Sequence, residues 1–404
     1  MSAPEVSTGV TQIESATAAQ GPVVLQVLPA LVTGGAERGT VDIAGAIIAD
    51  GGTAIVASEG GPMENDLKRL GALHLKMPLA SKNPLVMRRN VARLVKVIEG
   101  YKVDLVHARS RAPAWSARAA ARQTGCHFVT TFHAPYNFSN ALKKRYNAVM
   151  ADGERVIAIS DFIAEHVRSN YKVDPKMLRV IHRGVDLARF DPDRVSAERM
   201  IQLTTRWRLP DGLPLILMPG RLTRWKGQAV LLEALSYLRD IDYRCVLVGS
   251  DQGRTAYRRE LEELINRHGL AGKVLLLDEC NDMPAAYMLS DVVVSASTDP
   301  EGFGRIVGEA QALGRPVVAS DHGGAREQLL AERTGFLFPS GDAAALAAGL
   351  RKALGLSPEA RARLHDEAIA RVRQSFSKEQ MCAKTLAVYK EVLRSGAWAP
   401  GAHP

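Results

Sequence analysis

Asp291-Val-Val-Val-Ser-Ala-Ser-Thr-Asp-Pro-Glu-Gly-Phe-Gly-Arg-Ile-Val-Gly-Glu309 decides how the rest of the chain is read. The run Val292-Val-Val-Ser-Ala is β-branched and short, as a buried strand is. It stops at an acidic, glycine-rich turn and restarts as a helix from Arg305. Gly302 and Gly304 let the backbone approach a ligand closely and offer free N–H groups at a helix start. Glu301 therefore precedes the helix and Glu309 sits on it. Two carboxylates placed this way can hold two hydroxyl-bearing parts of one polar ligand. Taken alone they can equally be a carboxylate that counters the helix dipole and a solvated helical Glu.

Outward from this stretch, strands alternate with helices along nearly the whole sequence. Buried-strand candidates begin at Val23, Thr53, Leu73, Asp104, Cys126, Arg155 and Leu178, with helical segments between them. The alternation lapses between Phe190 and Pro214, where only an amphipathic piece stands out. It restarts at Leu215-Ile-Leu-Met-Pro219 and runs through strands near Tyr243, Val274, Asp291, Pro316 and Gly335. Three helical stretches close the chain, the last at 377–393 behind Ser377, a plausible N-cap. This spacing calls for two doubly wound, mostly parallel sheets in tandem, with ligands at the carboxyl ends of the strands. The expected division is a disordered lead-in at 1–21, a first domain at 22–205, a second at 206–376, and a last helix at 377–393.

At 404 residues the chain exceeds what one core comfortably fills, and 46% apolar with 24% charged residues is ordinary globular composition. No apolar run is long enough for a spanning helix and no secretory signal is visible, so a cytoplasmic protein is expected. Cys126, Cys245, Cys280 and Cys382 match no zinc or redox spacing and read as free thiols. The net charge of +9 is uneven: 26 basic against 19 acidic residues up to position 200 put +7 in the first half. Lys82, Arg88, Arg89, Arg93 and Lys96, with Lys143-Lys-Arg145, are its densest parts. An anionic partner is implied, either a phosphate-bearing substrate or an anionic membrane surface, or else solvated helix faces. Nucleic acid is disfavoured by the lack of a recognition motif and by 5% aromatics.

Three further clusters carry chemistry. Gly34-Gly35 lies between the first strand and its helix, where unpaired N–H groups can face phosphate, although fold geometry alone also selects glycine there. It fits neither the dinucleotide nor the P-loop pattern. Arg221 and Lys226 flank the strand-to-helix connection that opens the second domain; Arg offers a fork to a phosphoryl group and Lys a mobile point charge. His133, just past a first-domain strand, can move a proton or bond a ligand hydroxyl. Arg109 and Arg111 follow another strand end as candidate acceptor-phosphate contacts. A divalent site built from Asp299, Glu301 and Asp278 or Glu279 lacks any supporting His and Asp cluster, so no metal is expected.

Taken together these features resemble the retaining glycosyltransferases of family 4, which have the two-domain GT-B architecture with an interdomain cleft. Glu301-Gly-Phe-Gly-Arg-Ile-Val-Gly-Glu309 matches the family's E-x7-E signature. Gly34-Gly-Ala-Glu37, Gly220-Arg-Leu with Lys226-Gly227, and the segment from Val180 to Phe190 fall in the family's order. The resemblance spans about 22–393. It implies that Glu309 holds the ribose of a nucleotide-sugar donor and Glu301 a sugar hydroxyl. Gly302, Phe303 and Gly304 then supply amides, Arg221, Lys226 and the Gly34-Gly35 amides neutralise the diphosphate, and His133 stands near the transferred sugar. It further implies an acceptor held mainly by the first domain, a last helix that crosses back to that domain, retention at the anomeric carbon, and no cofactor.

The expected function is hexose transfer from a nucleotide diphosphate sugar to a lipopolysaccharide, lipid-linked or exopolysaccharide acceptor at the inner face of the plasma membrane. With no carboxylate in the place of a glycosidase nucleophile, front-face transfer is favoured over a covalent intermediate. The alternatives are a nucleotide-sugar epimerase or sugar phosphorylase on the same fold, or a glycan-binding protein without turnover.

Overall fold

The structure is a computed structural model that describes residues 21–32 and 34–396; the lead-in expected at 1–21 lies outside these apart from Gly21. The chain divides into two compact units. The first takes the residues through Ala158, Val167–Arg179 and those from Cys382 on. The second takes Ile159–His166 and Val180–Met381.

The first unit is built on seven strands: β1 (Val23–Val27), β2 (Thr53–Ser58), β3 (Leu73–Lys76), β4 (Leu105–Ala108), β5 (His127–Phe132), β6 (Arg155–Ala158) and β7 (Leu178–Val180, whose last residue falls in the second unit). They lie in the order β3-β2-β1-β4-β5-β6-β7, and the registers from β3 through to β6 are parallel. Leu25, Ile55, Val106, Phe128 and Phe132 are fully buried, as expected of strands covered on both faces. The helices between them are α1 (Gly35–Ala49), α2 (Glu64–Leu70), α3 (Pro84–Gly100), α4 (Arg111–Thr124), α5 (Ala141–Ala148) and α6 (Asp161–Tyr171). Asn83 and Asn140 cap α3 and α5 by accepting from the amides of Leu85 and Lys143.

After α7 (Ala197–Trp207) the second unit places β8 (Leu215–Pro219), β9 (Arg244–Val248), β10 (Val274–Leu277), β11 (Val292–Ser295), β12 (Val317–Ser320) and β13 (Phe336–Phe338). Their order is β10-β9-β8-β11-β12-β13, parallel throughout. This is the doubly wound order in which the chain reverses direction of winding between its first and fourth strands, here β8 and β11. In sheets of this order ligands bind there, outside the strands' carboxyl ends. The helices are α8 (Gln228–Ser236), α9 (Thr255–Arg267), α10 (Met283–Leu289), α11 (Arg305–Ala312), α12 (Ala325–Gln328), α13 (Ala343–Leu354) and α14 (Pro358–Ser375). One core of Ile216, Leu231, Leu247, Leu261, Val292, Val294, Leu346, Leu350 and Leu364 fastens α8, α9, α13 and α14 to the sheet.

The junction falls at Arg179–Val180, earlier than the expected break after residue 205, and α7 belongs to the second unit. The reason is local. Val185 donates its amide to the Phe376 carbonyl at 2.8 Å, Lys378 donates its amide to Val185, and the Lys378 ammonium pairs with Asp186 at 2.8 Å. Helix α7 packs on α10, with Arg199 holding Asp282 through two hydrogen bonds of 2.7 and 2.6 Å.

The last helix, α15 (Lys378–Leu393), begins in the second unit and continues in the first from Cys382. Ser377 caps it, accepting from the Gln380 amide. In the first unit its Tyr389 hydroxyl meets His107 Nδ1 at 2.6 Å, and Glu391 accepts from Arg155 and Arg179. Among the described residues no helix is long and apolar enough to cross a membrane.

Candidate functional site

In the second unit β8 and β11 are neighbours, and the loops that leave their carboxyl ends lie side by side. The β8 loop turns at Gly220 and makes a 3-10 turn over Arg224–Lys226 before α8. At Gly227 the backbone is left-handed, with φ of 77°, and a β-carbon there would stand 1.8 Å from the Ala296 carbonyl oxygen. Only glycine permits that approach. The Thr298 amide donates to the Trp225 carbonyl at 2.7 Å, which locks the two loops together.

This joint brings Lys226 to Glu301. The ammonium donates to Glu301 Oε1 at 2.7 Å, and the Ser297 hydroxyl donates to the same oxygen at 2.5 Å. Both charged side chains are mostly withdrawn from solvent, 11% and 18% exposed, so the pair is screened far less than one on the surface. The Glu301 carbonyl accepts from the Gly324 amide, and Ser160 donates to the Gly302 carbonyl at 2.6 Å. Arg221 is exposed, and its guanidinium makes no hydrogen bond or ion pair among the described residues.

Gly304, with φ of 81°, leads into α11. The amides of Phe303 and Gly304 have no acceptor among the described residues, so free N–H groups stand at the positive end of this helix. Gln328 holds the loop from behind, its amide donating to the carbonyls of Phe303 and Gly304 at 2.5 and 3.2 Å. One turn along α11, Glu309 is buried. It accepts from the Tyr287 hydroxyl at 3.0 Å and from Arg305 at 3.1 and 2.6 Å. Burial, with the Glu309 charge adding to it, raises the Tyr287 phenol well above its ordinary range, so Tyr287 remains a donor.

The first unit carries its own set at its own strand ends. Gly34 has an extended backbone and precedes α1, and the Glu37 carboxylate folds over it, 2.2 Å from where a β-carbon would stand. The amides of Gly34 and Gly35 have no acceptor among the described residues. His133 is half-buried in the loop after β5. Arg111 opens α4, donating to Asn147 at 2.8 Å with its guanidinium 4.3 Å from the Tyr136 ring centroid.

Arg109 departs from the expectation of an acceptor contact. It is 3% exposed and donates to Gln26 at 3.1 Å; burial lowers its pKa, with Tyr389, Asp42, Cys382 and Glu37 opposing. It is an interior cation: its amide continues the pairing of β4 with β1 by donating to the Val27 carbonyl, and its guanidinium reaches Gln26 on β1.

One carboxylate and histidine cluster, Asp161, His182 and Glu327, has ligand atoms close enough for a metal. Glu327 already accepts from the amides of Asp161 and Phe162 at 2.8 and 2.6 Å and meets His182 at 3.0 Å. Those oxygens cap the start of α6, which accounts for the cluster without an ion. The sequence reading missed Ser297, Tyr287 and Arg305 as partners of the two glutamates. Ser297 lies four residues before the signature and Arg305 inside it, four residues before Glu309, so both were within reach of a helical or loop spacing argument; Tyr287, on a different helix, gave no signal.

A family model described as Glycosyl transferases group 1 matches residues 202–371, and one described as Glycosyltransferase Family 4 matches residues 33–189. A D-inositol 3-phosphate glycosyltransferase of Xylanimonas cellulosilytica is 33% identical over 306 residues, 72% of this chain and 72% of that protein. The chain belongs to glycosyltransferase family 4. Among solved structures, a glycosyltransferase of Rickettsia africae superposes on this one with a TM-score of 0.88 at 38% identity, over 93% of this chain and 100% of that one. Anabaena HepE in complex with UDP and glucose superposes with a TM-score of 0.81 at 24% identity, over 92% and 100%, a likeness of fold. The two parallel-sheet units of this glycosyltransferase are those of the GT-B fold.

Proposed function

We propose that this glycosyltransferase takes a hexose from a nucleotide diphosphate sugar bound at the β8 and β11 strand ends and passes it, with retention, to a cell-envelope saccharide or lipid-linked acceptor. The observation that carries the donor reading is the largely solvent-shielded Lys226–Glu301 pair beside the free amides of Phe303 and Gly304. The reaction breaks the bond between the anomeric carbon and a phosphate oxygen, and negative charge grows on that oxygen. Lys226, held by Glu301, and the exposed Arg221 answer it as cations, with the helix-start amides as oriented donors. Glu301 then turns from Lys226 to a sugar hydroxyl, while Glu309, held in place by Tyr287 and Arg305, accepts from the ribose. In this reading His133 lies near the transferred sugar and the Gly34-Gly35 amides assist at the diphosphate. With the charge met by side chains, turnover needs no divalent metal and survives a chelator.

The acceptor belongs to the first unit in this proposal. Helix α5 presents Leu142, 79% exposed, beside exposed Lys143, Lys144 and Arg145, a composition suited to an anionic membrane surface where lipid-linked acceptors reside. A second reading, a phosphorylated polyol as acceptor, is favoured by the several relatives named D-inositol 3-phosphate glycosyltransferase.

The test is a thermal-shift screen of UDP-, GDP- and ADP-sugars, followed by acceptor panels with the donor that binds. Stabilisation by at least one donor, lost in Glu309→Ala, is the expected result. Absence of any shift across the panel would sink the donor assignment.

A further inference from the structure

The stretch around the expected domain junction, with the start of α10, builds a basic groove of about 590 Å³ within the second unit. Its walls are Arg189, Arg194, Arg199, Arg206, Asn281 and Asp282. Arg199 and Arg206 are seven residues apart on α7, two turns along one face. Arg194 comes from the 3-10 turn before α7 and Arg189 from the turn before that. Three backbone segments thus converge on one concavity of a size that holds a small molecule.

The charges do not cancel. Asp282 is committed to Arg199 through both oxygens and also accepts from the Ala285 amide. Asp191 reaches only the Nε of Arg194, at 3.5 Å, and its other oxygen accepts from the Asp193 amide. Arg206 makes no hydrogen bond or ion pair among the described residues, and Arg189 lies against the Phe190 ring, 5.5 Å from its centroid, with no ion pair. Guanidinium does not shed its proton, so like charges in one groove repel unless an anion enters.

We infer that this groove is a binding site for a phosphoryl dianion, carried either by a soluble phosphorylated metabolite or by a lipid headgroup. A phosphoryl group offers three acceptor oxygens to forks arriving from three directions, which a carboxylate cannot match. Asn281 supplies an amide for a hydroxyl on the same ligand. The site is separate from the Lys226–Glu301 loop but linked to Glu309: Phe190, next to Arg189, meets the Tyr287 ring edge-on at 6.0 Å, and Tyr287 holds Glu309.

The experiment titrates inorganic phosphate and glycerol phosphate into the full chain by calorimetry, with Arg194→Gln/Arg206→Gln and Lys226→Met beside it. Both arginines are exposed, so the double variant keeps its fold; the single Arg206→Gln variant serves if it does not. Saturable binding that is about ten-fold or more weaker in the groove variant and unchanged in Lys226→Met supports the site. Binding that survives the groove variant, that is lost in Lys226→Met instead, or that never saturates in the parent chain overturns it. Vesicles of phosphatidic acid, whose headgroup is a phosphomonoester, and of phosphatidylcholine identify the source. Loss of the phosphatidic acid preference in the groove variant assigns a headgroup, and an unchanged preference with weakened glycerol phosphate binding assigns a soluble ligand.

Discussion

Glu309 is held by two donors of different standing. Arg305 is 41% exposed and one turn away on the same helix, so its contribution is shared with solvent. Tyr287 is fully buried on another helix and fixes where the carboxylate points. Replacing it with Phe removes one oxygen and little volume. Tyr287→Phe is expected to weaken nucleotide binding about ten-fold, the value of one buried hydrogen bond to a charged group, and calorimetry with the donor nucleotide measures it. Undiminished affinity would separate Glu309 from the nucleotide.

The same pair shows what could be seen in the sequence. Glu301 and Glu309 were visible because their spacing is local and spans a glycine turn. Lys226 was visible because it follows a strand end. That Lys226 and Glu301 share one bond could not be seen, since they are far apart in the chain and meet only when β8 and β11 pair. Arg109 looked like its neighbour Arg111 in sequence and lies in the interior, because direction at a strand end is set by tertiary packing.

At the scale of elements, strand and helix positions followed hydrophobic period closely, and α7 is the amphipathic piece between Phe190 and Pro214: Met200, Leu203, Thr204 and Trp207 share its covered face, while Ile201, 63% exposed, lies off it. Its period did not say which unit it joins. The loops that join elements are more constrained than the elements themselves. Gly227 sits where a methyl group would collide with the end of β11, in a conformation that side chains rarely adopt. Gly227→Ala is expected to cost more than about 1 kcal/mol and to lower the thermal midpoint by several degrees, read by circular dichroism. Since this loop also carries Lys226, donor binding should fall with it; an unchanged midpoint would show that the β8 loop can shift away from β11 without loss.

At the scale of the whole molecule, each unit is assembled from separate stretches of the chain, and the second holds Ile159–His166 apart from the bulk of its sequence. Glu327, beside the Ser160 bond to the Gly302 carbonyl, fastens that short segment by accepting from the amides of Asp161 and Phe162. Burial alone would raise its pKa, but the His182 bond and the amides of Phe162 and Asp161 outweigh burial and bring it below the ordinary 4.5. A carboxylate whose pKa is depressed on folding stabilises the folded state above its unfolded pKa, and that contribution fades as pH falls through the folded value. Glu327→Gln keeps the shape and removes the charge. Denaturant midpoints of the parent and the variant should therefore differ at neutral pH, by about 2 kcal/mol for a buried, charge-assisted cap, and the difference should shrink as the pH is taken below about 4.5. A gap that stays constant across that range would mean that the segment is held by packing of Ile163 and Ala164, both fully buried, and not by the carboxylate beneath its amides.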